Sequence, residues 1–174
     1  MKQLKSREEH PKRNRQNIAL LLTLTILLTV VLSGCLGSEK PSDAEKQYWG
    51  HIDEVSRLSA ESQRLWEVIM KTKITESGEL LNQMKENHKK ALVHARKAVE
   101  IAPDEQSRNY AFYLSKALEY TVQVDEKYLE MKRLYENGDR EGGKEIERNE
   151  LNPLQELALE MLDEADKYKP KRRG

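Results

Sequence analysis

The chain has one cysteine, Cys35, among its 174 residues. No internal disulfide can form, and no zinc site can be built from a set of thiolates. The apolar–polar alternation of a half-buried strand is missing throughout. Phenylalanine occurs once, as Phe112. Net charge is missing too, since 30 basic side chains balance 30 acidic ones. The balance is uneven: residues 1–17 carry six basic and two acidic side chains, +4 net, which leaves −4 for the remainder. A nucleic-acid binder needs a concentrated basic face, so no nucleic acid is expected as a partner. There is no phosphate loop and no local Ser/His/Asp or Cys/His motif. No cofactor and no catalytic residue is assigned.

Metal chemistry meets similar gaps. A di-iron bundle site needs Glu-x-x-His on two helices. His51, His88 and His94 are preceded three residues earlier by Tyr48, Lys85 and Ala91. Asn137, Asp139, Glu141 and Gly142 follow the opening of a calcium loop, but Arg148 stands where the bidentate Glu belongs. A plain helix–helix turn is expected there, and no metal.

What is present begins with an uncharged run of Leu, Ile, Val, Ala and Thr from Ile18 to Leu32, behind the basic residues 1–17. A basic flank, an apolar core and then small residues make the three-part pattern of a secretory signal. The basic end is expected to stay cytoplasmic. The run ends in Leu32-Ser33-Gly34-Cys35, which resembles the lipobox of prokaryotic membrane lipoproteins. The resemblance covers only these first residues. It implies cleavage before Cys35 and lipid attachment to its sulfur, leaving the bundle anchored outside the cytoplasm. An uncleaved single-pass helix over 18–37 gives the same topology, since about 20 apolar residues span a bilayer.

Beyond the tether at 36–42, apolar spacing is helical to the end. Ser42-Asp43-Ala44-Glu45 is a capping box. The helix after it should reach about Lys73, with Tyr48, Ile52, Val55, Ser59, Ser62, Trp66 and Ile69 inward in steps of four and three. Thr75 or Ser77 is expected to cap a second helix carrying Leu81, Met84, His88, Ala91, Ala95, Ala98 and Ala102. The break between these two helices is weak enough that they could be one kinked helix. Ala91, Ala98 and Pro103 resemble a tetratricopeptide helix, but Tyr113 blocks the next unit, so no repeat array is expected. Pro103 and Asp104 start a third helix, which runs to about Glu136 with Tyr110, Leu114, Ala117, Thr121, Val124, Tyr128, Met131 and Tyr135 on its seam. Gly138 should end it. Lys144 to Asn149 could form a short helix. Asn152 and Pro153 read as the N-cap and first residue of a last one.

Short links between long amphipathic helices imply an all-α, up-and-down bundle of about four helices over 43–169, with a basic tail at 170–174. The Lys167–Arg173 stretch is expected to fray into solvent, with contact to anionic headgroups as the alternative. His88 falls on the core stripe, and His51 and His94 on rims. Three functions stay open. The first is an anchored lipoprotein whose bundle docks a protein partner or self-associates. The second is a module binding a small ligand near the tyrosines of the third helix. The third is an enzyme or metal protein using His88 and carboxylates.

Overall fold

Ser42 opens the first helix as the capping box requires: its Oγ accepts from the Glu45 N–H at 3.1 Å. A computed structural model describes residues 42–172. The signal-like segment, the lipobox and Cys35 lie outside the described residues. So does the alternative span at 18–37. No helix among the described residues is long and apolar enough to cross a membrane.

Helix α1 (Asp43–Ile69) buries Tyr48, Ile52, Val55, Leu58, Ser59, Ser62 and Ile69, the expected stripe apart from half-buried Trp66. It ends a turn earlier than Lys73. The Thr72 hydroxyl donates to the Ile69 carbonyl at 3.1 Å, and the chain then turns through a short 3-10 segment, Ile74–Glu76. The break therefore does separate two helices. Ser77 precedes α2 (Gly78–Ile101), but its side chain does not cap it. Fully buried, it bonds backward instead, 3.0 Å from the Lys73 carbonyl and 2.7 Å from the Thr72 hydroxyl, pinning the loop. Ala91, Ala95 and Ala98 of α2 are completely buried, and their small side chains let neighbouring helices approach closely.

Asp104 caps α3 (Glu105–Glu136) by accepting from the Ser107 N–H at 2.7 Å. Gly138 ends it with φ +80°. Its N–H donates to Tyr135, and the Asp139 N–H to Leu134, a Schellman pair that satisfies two terminal carbonyls. Asp139 then caps the next helix by accepting from the Gly142 N–H at 2.9 Å. The opening residues of the calcium-loop pattern thus end one helix and start another.

The last part of the chain corrects the sequence expectation. Helix α4 (Arg140–Ile146) runs without a break through a π segment (Glu147–Leu151) into α5 (Asn152–Lys167). Asn152 is helical and its N–H donates five residues back, to Glu147, so it is not an N-cap. The physical cause is Pro153. It has no N–H to donate, and its ring crowds the carbonyl four residues earlier. The widened turn just upstream absorbs that misfit. Buried residues confirm the extra residue: Ile146 is followed by Leu151, a step of five, and then by Gln155, Ala158, Leu162 and Ala165 in steps of four and three.

The result is an all-α four-helix bundle in which α1 packs on α2, α2 on α3, and α3 on α5. Each of these seams is closed by a short connection. The backbones of α1 and α5 barely approach one another. The tail bridges this fourth seam at one end. The Arg172 guanidinium grips Asp53 with two bonds of 3.0 Å and lies 5.5 Å from the Trp49 ring. Tyr168 stacks on Tyr113. The expectation of a frayed tail therefore fails through Arg172: Trp49 and Asp53, one turn apart on α1, offer a guanidinium both a ring and a carboxylate.

Candidate functional site

The apolar core is not continuous. One cluster holds Tyr48, Ile52, Val55 and Leu58 against the α2 alanines, Ala111, Leu114, Leu118 and Leu162. A second, at the other end, holds Ile69, Leu81 and Met84 with Trp66 and Tyr128 packed on it. Between them lies a polar layer, and in that layer a cavity of about 80 Å³. Every long helix contributes to its wall, including Ser59, Ser62, Gln63 and Trp66 of α1, His88 of α2, Asp125 of α3 and Gln155 of α5. A smaller cavity of about 20 Å³ continues along α1, α3 and α5 between Ser56, Tyr110 and Asp166. Both follow the loosely closed α1–α5 seam.

The α1 wall carries the unusual chemistry. Ser59 Oγ, Ser62 Oγ, Gln63 Oε1 and Trp66 Nε1 are buried, and none has a hydrogen-bond partner among the described residues. Buried polar atoms are nearly always paired, because leaving one unpaired costs about 1–3 kcal/mol. Four such atoms at spacings of three and four residues form one stripe on one helix face. Facing them are Leu114, Ala117, Leu118, Val124 and Leu162, all apolar. Gln155 is held in place by donating from Nε2 to the Tyr128 hydroxyl at 3.1 Å. The Trp66 and Tyr128 rings pack at 4.9 Å between centroids.

The α2–α3 wall carries a buried pair. Asp125 is 1% exposed, and its Oδ2 lies 2.6 Å from His88 Nδ1. Burial raises the Asp125 pKa above the ordinary carboxylate value, and the neighbouring His88 pulls it back down. His88 was expected on the core stripe and is there, with a side chain 12% exposed. Its partner was missed. The signal was present: Leu114, Leu118, Thr121, Asp125 and Tyr128 step by four and three, which put one acid on an otherwise apolar or neutral face.

The other candidates fall elsewhere. His51 and His94 meet across α1 and α2 with their Nδ1 atoms 2.9 Å apart, half-buried as rim residues should be. Burial and the adjacent His94 lower the His51 pKa. Of the α3 tyrosines, Tyr128 borders the main cavity and Tyr110 the smaller one. Tyr113 stacks on Tyr168, and the Tyr135 ring packs against Gly143. No group of three or more His, Cys, Asp or Glu side chains among the described residues is arranged to hold a metal ion. No family model, curated protein or solved structure matches the chain. The functional reading therefore rests on the site's own chemistry.

Proposed function

We propose that this chain is a membrane-tethered, exported helical bundle that holds a small molecule in its interior. The observation that carries the reading is the α1 stripe: four buried, unpartnered polar atoms facing one cavity. A cavity with mostly apolar walls and a few convergent polar groups is the common form of a ligand site. The alternative of a docking scaffold draws less support. The large apolar side chains on the surface, Val68, Met70, Val93, Phe112 and Leu157, are spread over α1 and the turn after it, α2, α3 and α5. The tether rests on the basic, apolar and lipobox-like segments that end at Cys35.

The test is a thermal-shift screen of small polar molecules on the full chain in mild detergent. A ligand of the interior raises the melting temperature of the wild type. It does not do so in an Ala117→Leu variant, whose larger side chain occupies the cavity. A screen with no shift, or equal shifts in both proteins, overturns the reading. For the tether, metabolic labelling with a fatty acid should mark the wild type and leave Cys35→Ser unlabelled. An unlabelled wild type with an intact Met1 removes the lipid anchor and leaves the membrane-spanning alternative.

A further inference from the structure

We infer that the cavity selects an uncharged molecule of a few heavy atoms that carries both a hydrogen-bond acceptor and a donor along one edge: a small amide or a short-chain diol. This rests on the reading of the cavity as a ligand site.

The polar atoms set the charge. Trp66 Nε1–H can only donate, so its partner must be an acceptor. Gln63 presents its side-chain oxygen, so its partner must be a donor. The Ser59 and Ser62 hydroxyls can serve either way. An ammonium ion would satisfy Gln63 and the serines and leave the indole N–H unpaired. A carboxylate would satisfy the indole but would set its charge against Gln63 Oε1 and near the Asp125 carboxylate. Asp125 and His88 already pair with one another at 2.6 Å, which leaves neither ring nor carboxylate as a free counter-charge for an ionic ligand. A neutral molecule with mixed donors and acceptors, taking the place of bound water, completes the stripe.

The dimensions set the size. At 1.5 Å per residue the stripe from Ser59 to Trp66 extends about 10 Å along α1. The main cavity, about 80 Å³, is roughly half the volume of a cavity known to take up benzene. The polar edge of the ligand lies along α1, and its apolar body meets Leu114, Leu118 and Leu162.

The matched probes are propionamide, propionate, propylammonium and benzene, added to the full chain in mild detergent. The readout is the indole N–H resonances in nitrogen-15 correlation spectra. The chain has two tryptophans, and only Trp66 borders the cavity, so Trp49 is an internal control. Propionamide should move the Trp66 resonance to saturation and leave Trp49 still, with propionate and propylammonium roughly tenfold weaker or worse. Trp66→Phe assigns the peak. Ser62→Ala, a smaller change, should weaken propionamide severalfold without unfolding the bundle. Tighter binding of benzene or of either ion at Trp66 overturns the ligand class and leaves the site. A Trp66 resonance that none of the four probes moves overturns the site, and with it the proposed function.

Discussion

Removing the His88 imidazole should leave Asp125 as a buried carboxylate without its closest partner. Breaking a buried pair from one side costs about 3–5 kcal/mol. Asp125 has an escape, which is to take up a proton. From an unfolded-state pKa of about 3.9, that uptake costs about 4 kcal/mol at pH 7 and about 1.5 kcal/mol at pH 5. The charge penalty of His88→Ala is therefore capped near those values. The sign follows from the direction of the shift. Burial raises the Asp125 pKa, and His88 and then Lys85 lower it, while Glu126 raises it slightly. Without His88 the folded-state pKa climbs further. The folded chain then holds a proton that the unfolded chain has lost, so stability falls as pH rises from about 4 and levels off above the folded-state pKa. Urea unfolding followed by circular dichroism, on the full chain in mild detergent, measures this. The reference is the double variant His88→Ala/Asp125→Asn, which keeps every other titrating group. His88→Ala should fall below the double variant at pH 7, narrow to within about 1.5 kcal/mol of it by pH 5 and converge on it near pH 4, with a slope of at most about 1.4 kcal/mol per pH unit. Parallel curves, or a loss under about 1 kcal/mol at pH 7, would refute the idea that Asp125 depends on His88 for its charge.

Four further outcomes are expected. Tyr48, fully buried, donates to the Ser107 carbonyl at 3.0 Å, so Tyr48→Phe should cost about 1 kcal/mol, or about 2–4 °C in melting temperature by calorimetry. A Cβ on Gly143 would lie 2.6 Å from the Tyr135 ring, so Gly143→Ala should lose about 1–3 kcal/mol in urea unfolding. Gly50→Ala, on α1 with nothing within 4 Å of the added carbon, should instead gain about 0.5–1 kcal/mol. Burial, and then the charge of Asp166, pushes Tyr110 up to about 12, and burial pushes Tyr48 up as well. The folded chain keeps these protons when the unfolded chain loses them, so stability should fall as pH rises above about 10, and Tyr110→Phe should flatten that alkaline slope.

The inward stripe of α1 was legible from Tyr48 to Ser62 because packing and period agree there. The caps at Ser42 and Asp104 and the glycine stop at 138 were legible because each satisfies backbone groups locally. Three features were not. Asn152-Pro153 carries the local chemistry of a helix start, but a π turn satisfied the same proline inside a continuous helix. The Arg172 strap joins residues more than a hundred positions apart, and no local pattern encodes such a contact. At the cavity, Ser59 and Ser62 were placed inward as small residues, and that position holds. What a linear spacing does not show is whether a partner reaches an inward hydroxyl, since that depends on how closely α5 seats against α1.

The π turn has a consequence for how the cavity wall is set. An ordinary helix advances about 100° per residue, so a step of five would swing Leu151 about 140° away from Ile146. Holding one residue in the wide turn reduces that to about 40°, and Gln155 keeps its aim at Tyr128. The extra residue is thus absorbed in the wide turn, and α5 keeps the phase of an uninterrupted α-helix one residue shorter. Deleting one position between Glu147 and Glu150 would let the segment close as an ordinary α-helix with the same phase, so Gln155 would keep its aim, and what would be lost is the wide turn that accommodates Pro153. A bundle built this way can absorb a one-codon length change in this segment while its cavity wall keeps the same side chains at the same phase.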